Sequence, residues 1–280
     1  MSNKKTYSKQ ALTIEKQIEL LQKRGLIIDD EKEATHYLNN ISYYNLSGYF
    51  KPHQDNEDIF FKDTTFKKIL DLYFFDRKLR LLFINALERI EKSFKTQFIY
   101  HLSINYGGNY LISKKFSSHR DKIDENLKRS KEPFIVKFNE KYTNKYPPLW
   151  ILAEVLSFGD ILTIFSRSLD TRDRKEIAKY YGVNWKYLHS WLENLREIRN
   201  ICAHHSRLWN RNITKHLKRS STVKNLQYNH KIFDSIIITG ILLEKISPDF
   251  SWLKAIKDLI GEYGIDLKKM GFPDKWEDVF

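Results

Sequence analysis

An arginine, an asparagine and a histidine lie within one six-residue stretch of this chain, as Arg199, Asn200 and His204. An arginine stays charged at neutral pH and binds two phosphate oxygens at once, whereas a histidine takes up and releases protons near neutral pH. These residue types predict chemistry on a phosphodiester, with Arg199 on the phosphate and His204 as the proton carrier. Asn200 is the third candidate catalytic residue, and a local hydrogen bond or helix cap is its alternative role.

The motif opens a stretch without any acidic residue, residues 199–233, which we call the basic tract. It contains eight Lys and Arg residues and four histidines. Such a concentration of positive charge predicts a binding site for a phosphate backbone, and a solvated basic surface is the alternative. The candidate RNA-binding residues are His205, Arg207, Arg211, Lys215, Lys218 and Arg219. The sequence therefore predicts a protein that binds and cleaves RNA.

Helix geometry leaves the choice between the two adjacent histidines open. On an ideal helix the side chains of Arg199 and His204 are ~140° apart, and those of Arg199 and His205 about 240° apart. Neither pair shares one face unless the helix ends or kinks near Ala203. Adjacent histidines also point in different directions, and no cluster of carboxylates accompanies them, so we expect no metal ion and no cofactor.

Composition limits the class of protein. The 280 residues carry a net charge of +13, and 41% of them are hydrophobic, which is enough for one large domain or two small ones. The single cysteine, Cys202, excludes an internal disulfide and is expected in the core. No apolar signal core follows the first residues, and no apolar run approaches the ~20 residues of a membrane span. These features predict a cytoplasmic protein with no membrane partner.

Gly and Pro are few, at 10 and 6 residues, which favours long helices over a β-rich fold. Hydrophobic periodicity predicts helices over 13–24, 30–40, Phe66 to Leu102, 121–129, 132–142, 149–169 with a break at Gly159–Asp160, 171–181, Trp185 to Ala203, 230–246 and 251–263. The aromatic segment Ile41–Phe50 is expected to be irregular. We predict an N-terminal helical region, 1–60, packed on a helical domain, 61–280, with a lysine-rich helical insertion near 112–147.

Several blocks of the sequence resemble one known family. They are Gln17–Gly25, Ile41–Tyr49, Asp76–Arg80 with Glu88–Glu91, Pro148–Trp150, Leu156–Gly159 and Leu195–Arg211. The chain is similar in these blocks to the Abi-like family of abortive-infection proteins, the AbiD/AbiF type of bacterial anti-phage factors. The last block is also similar to the HEPN ribonuclease signature, an arginine, a polar residue, three further residues and a histidine, which falls here on Arg199, Asn200 and His204.

The resemblance implies an all-α, HEPN-type helical bundle and growth arrest after phage infection. It also implies a toxin whose activity is restrained in uninfected cells, and the charge of the chain makes RNA the expected restraining partner as well as the substrate. One Arg/His set is a small set of catalytic groups, so we expect a homodimer. A non-catalytic RNA- or DNA-binding protein is the alternative function, and a transcriptional regulator that reads DNA through the helix pair at 13–40 is a second one.

Overall fold

The computed structural model describes residues 10–108, 119–220 and 223–279 of the chain. Within these ranges the chain forms twelve α-helices, a few 3₁₀ turns and two isolated β-bridges but no β-strand. The helices are α1 (Ile14–Lys23), α2 (Glu31–Ile41), α3 (Tyr43–Phe50), α4 (Phe66–Tyr106), α5 (Arg120–Arg129), α6 (Pro133–Lys141), α7 (Leu149–Val155), α8 (Phe158–Arg167), α9 (Thr171–Lys179), α10 (Trp185–Ala203), α11 (Ile232–Ile246) and α12 (Trp252–Tyr263). The predicted all-α fold class is confirmed. None of the described helices is both long and apolar enough to cross a membrane.

The described chain divides into two compact units. The first comprises the described residues within 1–78 and 262–265, and the second comprises those within 79–261 and 266–280. Helices α1 to α3 therefore belong to the first unit and α5 to α11 to the second. The sequence-based division into 1–60 and 61–280 stays a prediction. Helices α5 and α6 lie within the expected insertion, whose residues 112–118 are outside the described ranges.

The aromatic segment before Lys51, which we expected to be irregular, is helix α3, so that prediction is wrong. Ser42 has a left-handed backbone with φ of 70°, and its hydroxyl accepts a hydrogen bond from the Asn45 N–H at 3.3 Å. Leu46, Tyr49 and Phe50 are buried. Their spacing of three and four residues is that of a helix face, but the abundance of aromatic residues obscured the pattern.

The helix break that we predicted at Gly159–Asp160 exists, but it lies earlier in the chain. Helix α7 ends at Val155 and α8 begins at Phe158, so Gly159 and Asp160 lie inside the first turn of α8. The Ser157 hydroxyl accepts the Asp160 N–H at 3.1 Å, and the Asp160 carboxylate accepts the Ser157 N–H, also at 3.1 Å. This reciprocal capping box starts the new helix at Ser157, and the glycine is therefore not the helix breaker.

Helix α10, which carries the motif, has the predicted bounds. Its buried face includes Leu188, Trp191, Leu192, Leu195, Ile198, Ile201 and Cys202, and it packs against α8, α9 and α11. Cys202 is buried, as predicted. The other predicted helices agree with the structure to within two residues at each end, except that α4 continues beyond Leu102 to Tyr106. The end of α10 is thus fixed by a well-packed core within the second unit.

Candidate functional site

The Arg–Asn–His motif lies at the C-terminal end of α10 and in the turn that follows. His204 is the C-terminal cap, and His205 has a left-handed backbone with φ of 54°. The His205 N–H donates to the carbonyl of Cys202 at 3.1 Å, and the Ser206 N–H donates to the carbonyl of Ile201 at 3.0 Å. These two hydrogen bonds form a Schellman motif, which ends the helix and turns the chain away from its axis.

A cleft of about 320 Å³ opens beside this helix end. The predicted site residues that line it are Asn200, His204, Arg211 and Lys215, and Arg196 and Glu197 line it as well. A cleft of this volume lies at the lower end of the range for small-ligand sites. Three permanently cationic side chains, one carboxylate and a histidine therefore face the same space.

The sequence interpretation missed Arg196 and Glu197. Arg196, Asn200 and His204 follow one another at intervals of four residues, and residues at this spacing lie along one side of a helix. That interval is the signal in the sequence that would have found Arg196. No local pattern marks Glu197, because its role depends on a loop that returns to α10 from later in the chain.

Arg199 lies outside the cleft. Its side chain is 47% exposed, its Nε lies 3.8 Å from Oε2 of Glu91 on α4, and its Nη1 donates to Oδ1 of Asn200 at 3.3 Å. Ion pairs with one exposed partner contribute at most about 1 kcal/mol. Arg199 can therefore exchange Glu91 for a phosphate group at a small loss of free energy. The structure does not place Arg199 and His204 in one cleft.

The other predicted RNA-binding residues also lie outside the cleft. His205, Lys218 and Arg219 are exposed, and Arg207 is half-buried. The Arg219 guanidinium lies over the ring of Tyr228, with 5.5 Å to the ring centroid. Contact of these four residues with RNA stays a prediction, and it would require an RNA that extends beyond the cleft.

A polar stripe on α10 fixes the part of the basic tract that forms one wall of the cleft. Glu197 accepts the backbone N–H of Lys215 at 2.6 Å and that of the preceding residue at 2.9 Å. The Asn194 side chain donates to the Lys215 carbonyl at 2.7 Å, and the Ser190 hydroxyl accepts the Lys218 N–H at 2.8 Å. The tract is therefore held here by its backbone, which leaves the Lys215 and Lys218 side chains exposed to solvent.

Asp234, the first acidic residue after the basic tract, holds the far end of the tract in the same way. Its carboxylate oxygens accept the backbone N–H groups of Gln227 and Tyr228, both at 2.7 Å. Asp234 is buried, and burial raises the pKa of its carboxyl, while the two N–H donors and His230 act in the opposite direction. One carboxylate thus satisfies two backbone donors in the tract.

Asp234→Asn should loosen the basic tract. A side-chain amide offers one acceptor oxygen where the carboxylate offers two, so one partly buried N–H loses its partner, which costs about 1–3 kcal/mol. We expect a lower free energy of unfolding and faster amide hydrogen exchange at Gln227 and Tyr228. Asp274→Asn, the same substitution at an exposed carboxylate that pairs with Lys268, is the control. Unchanged exchange at both amides in Asp234→Asn would contradict the anchoring role.

His205→Gly should not destabilise the protein, and it should leave the rate of any RNA cleavage at saturating protein unchanged, since His205 is a candidate for RNA binding and not for proton transfer. Glycine adopts a left-handed backbone without the steric penalty of a side chain, which amounts to about 1 kcal/mol, so the Schellman turn is retained while the imidazole is removed. Thermal unfolding and the cleavage rate are the two measurements. A large loss of cleavage in a stable His205→Gly protein would move the proton-transfer role from His204 to His205.

Among the residues that the structure describes, no three His, Cys, Asp or Glu side chains group closely enough to hold a metal ion. The described site comprises a histidine at a helix end, an asparagine amide, and a cationic cleft whose wall is held by Glu197. These groups can bind a phosphodiester and exchange protons with it.

A family model described as Abi-like protein matches residues 36–210 of the chain. The match covers more than half of the sequence, from α2 through the whole of α10, and includes Arg199, Asn200 and His204. No curated protein and no solved structure matches the chain.

Proposed function

The chain belongs to the Abi-like protein family, and from this premise we propose that it is a metal-independent endoribonuclease of an abortive-infection system. Family membership supports a role in abortive infection. The observation that supports RNA cleavage is the position of His204, at a helix end in a cleft lined by the cations Arg211 and Lys215. A polyanion is attracted to such a cleft, and a histidine beside it can act on the bound phosphodiester.

The proposed reaction uses the 2′-hydroxyl of the RNA as the nucleophile. A histidine accepts its proton, the 2′-oxygen bonds to the adjacent phosphorus, and the bond from phosphorus to the 5′-oxygen breaks. A second proton donor protonates the departing 5′-oxygen. The products are a 2′,3′-cyclic phosphate and a 5′-hydroxyl.

Charge builds up on the phosphoryl oxygens during this reaction, and cationic side chains stabilise it. We assign this role to Arg199, which reaches the phosphate by leaving Glu91. Asn200 would hydrogen-bond to the phosphate or ribose from within the cleft. Arg211 and Lys215 would hold neighbouring phosphates and set the path of the strand.

One chain offers His204 as the proton carrier, whereas the reaction needs both an acid and a base. A two-fold homodimer would bring a second histidine and a second arginine to the same place. Such a contact requires exposed residues at the end of α10. The exposed residues there are Arg199, Asn200, Ala203, His204 and His205. We therefore propose that the two motif helix ends face each other in the active form.

A toxin of this kind must be restrained before infection. We propose that the restraining partner is an RNA that binds the same cationic surface, including Arg211 and Lys215. Restraining RNA and substrate would then compete, and both would bind more weakly as salt rises because each releases counterions on binding.

Non-catalytic RNA binding is the competing function that the cationic cleft also supports. The test incubates the purified protein with end-labelled RNA in excess EDTA. The proposed function predicts discrete cleavage products that persist in EDTA, whereas a binding protein gives only a salt-sensitive gel shift. Cleavage that is lost in EDTA and restored by Mg²⁺ or Mn²⁺ would contradict the metal-independent reaction.

The DNA-reading alternative has less support from the structure. The acidic residues of the helix pair, Glu15, Glu19, Asp29, Asp30, Glu31 and Glu33, are all exposed. A negatively charged surface repels the phosphate backbone of DNA. Sequence-specific duplex binding that survives deletion of residues 190–220 is the result that would favour a transcriptional regulator.

A further inference from the structure

The arginine of α10 that faces the cleft is Arg196 and not the arginine of the motif. Arg196, Asn200 and His204 all line the cleft, on one side of α10. Arg199 instead pairs with Glu91 of α4. Arg196 precedes His204 by eight residues, about 12 Å along the helix axis, so a different phosphate of a strand bound at His204 would meet the Arg196 guanidinium.

Gly159, in the first turn of α8, makes room for this guanidinium. A β-carbon at Gly159 would lie only 2.8 Å from Nη1 of Arg196, which is too close for an ordinary contact. Glycine is otherwise unfavourable inside a helix, by about 1 kcal/mol relative to alanine. The space left for Arg196 gives a physical reason for a glycine at this position, within the block Leu156–Gly159.

Much of the hydrogen-bonding capacity of Arg196 is unused. Its Nη2 donates to Oε2 of Glu193 at 2.7 Å, whereas its Nε is buried and has no hydrogen-bond partner among the described residues. An arginine has five N–H donors, and buried donors without partners are rare in folded proteins. Glu193 therefore fixes the guanidinium through Nη2, and the side chain presents its cationic group to the cleft that it lines.

We infer that Arg196 is a substrate-contacting residue, which binds a phosphate of the RNA in the cleft next to the one that is cleaved. The inference rests on the proposed function. Gly159 and Glu193 are positioning residues, since they act through the guanidinium. Arg199 and Arg196 then have separate tasks: Arg199 acts on the reacting phosphate, and Arg196 fixes the register of the strand.

The experiment measures RNA binding by fluorescence anisotropy in the non-cleaving His204→Ala background, and cleavage kinetics with the histidine intact. Arg196→Gln should weaken binding and raise KM about tenfold, the effect of one lost charged hydrogen bond. It should also reduce the slope of log Kd against log salt by about 0.7, because one single-strand phosphate contact is lost. Arg196→Lys should recover part of the affinity, since it keeps the charge.

Two positioning variants separate substrate contact from a structural role. Gly159→Ala displaces only the flexible end of Arg196 and favours the helix, so we expect a several-fold higher KM without a lower Tm. Glu193→Gln removes the ion pair but keeps the cation, so its salt slope should remain that of the parent. If Glu193→Gln reproduces both the weaker binding and the smaller salt slope of Arg196→Gln, the arginine acts through its ion pair and the inference is wrong.

The inference and the proposed function fail in different ways. If His204→Ala abolishes cleavage while Arg196→Gln binds and cleaves RNA like the parent protein, the inference is overturned and the ribonuclease remains. If His204→Ala cleaves like the parent protein, the proposed function itself fails, whatever the Arg196 variants show.

Discussion

His204→Ala is expected to lower the rate of RNA cleavage by about 10²–10⁴-fold, the usual contribution of a general acid–base group. The imidazole has no hydrogen-bond partner among the described residues and is exposed at the helix end, so folding should not depend on it. The measurement is the single-turnover cleavage rate of a labelled RNA at saturating protein. Growth arrest on expression should be lost in parallel.

The neighbouring histidine provides the matched control for this experiment. His205→Gly removes an imidazole one residue away, and it does so at a backbone position that glycine accepts. Circular dichroism and thermal unfolding should show both variants to be folded. A His204→Ala protein that cleaves at the parent rate would contradict the assignment of the proton carrier.

Arg199→Ala is expected to lower cleavage by about 10²–10³-fold, the range found when one group that stabilises transition-state charge is removed. Loss of the exposed ion pair with Glu91 should change the free energy of unfolding by less than about 1 kcal/mol. Glu91→Gln is the control, since it removes the same ion pair and leaves the arginine. We expect Glu91→Gln to cleave at least as fast as the parent protein.

Mixing the Arg199→Ala and His204→Ala proteins tests whether both chains of a dimer contribute residues to one active site. A heterodimer of Arg199→Ala and His204→Ala keeps one Arg199 and one His204 at the two-fold axis, whereas each variant alone lacks one residue type entirely. Random exchange of subunits makes about half of the dimers heterodimers, so part of the parent activity should return. Light scattering on the same samples should show a dimer. No recovery in a verified heterodimer, or a fully active monomer, would contradict the two-fold arrangement.

The sequence predicted those features that depend on local pattern. Apolar residues at helical spacing gave the bounds of α10. The cleft residues Asn200 and His204 were found because the motif itself is local.

The remaining features depend on contacts between distant parts of the chain. Glu197 was missed because its partners, Thr214 and Lys215, return to α10 from a loop. Gly159 was interpreted as a helix breaker. Its actual role, to leave space for the Arg196 side chain, depends on the packing of α8 against α10, which no local pattern shows. Arg199 lies outside the cleft and pairs with Glu91, a residue so distant in sequence that no local pattern could indicate the ion pair.

Analysis of the product ends is a direct test of metal-independent RNA cleavage by His204. A short RNA is digested in EDTA by the parent protein and by His204→Ala, and the fragments are identified by mass spectrometry. We expect fragments with 2′,3′-cyclic phosphate and 5′-hydroxyl ends from the parent protein, and none above background from His204→Ala. Fragments with 5′-phosphate and 3′-hydroxyl ends, or intact RNA with the parent protein, would contradict this expectation.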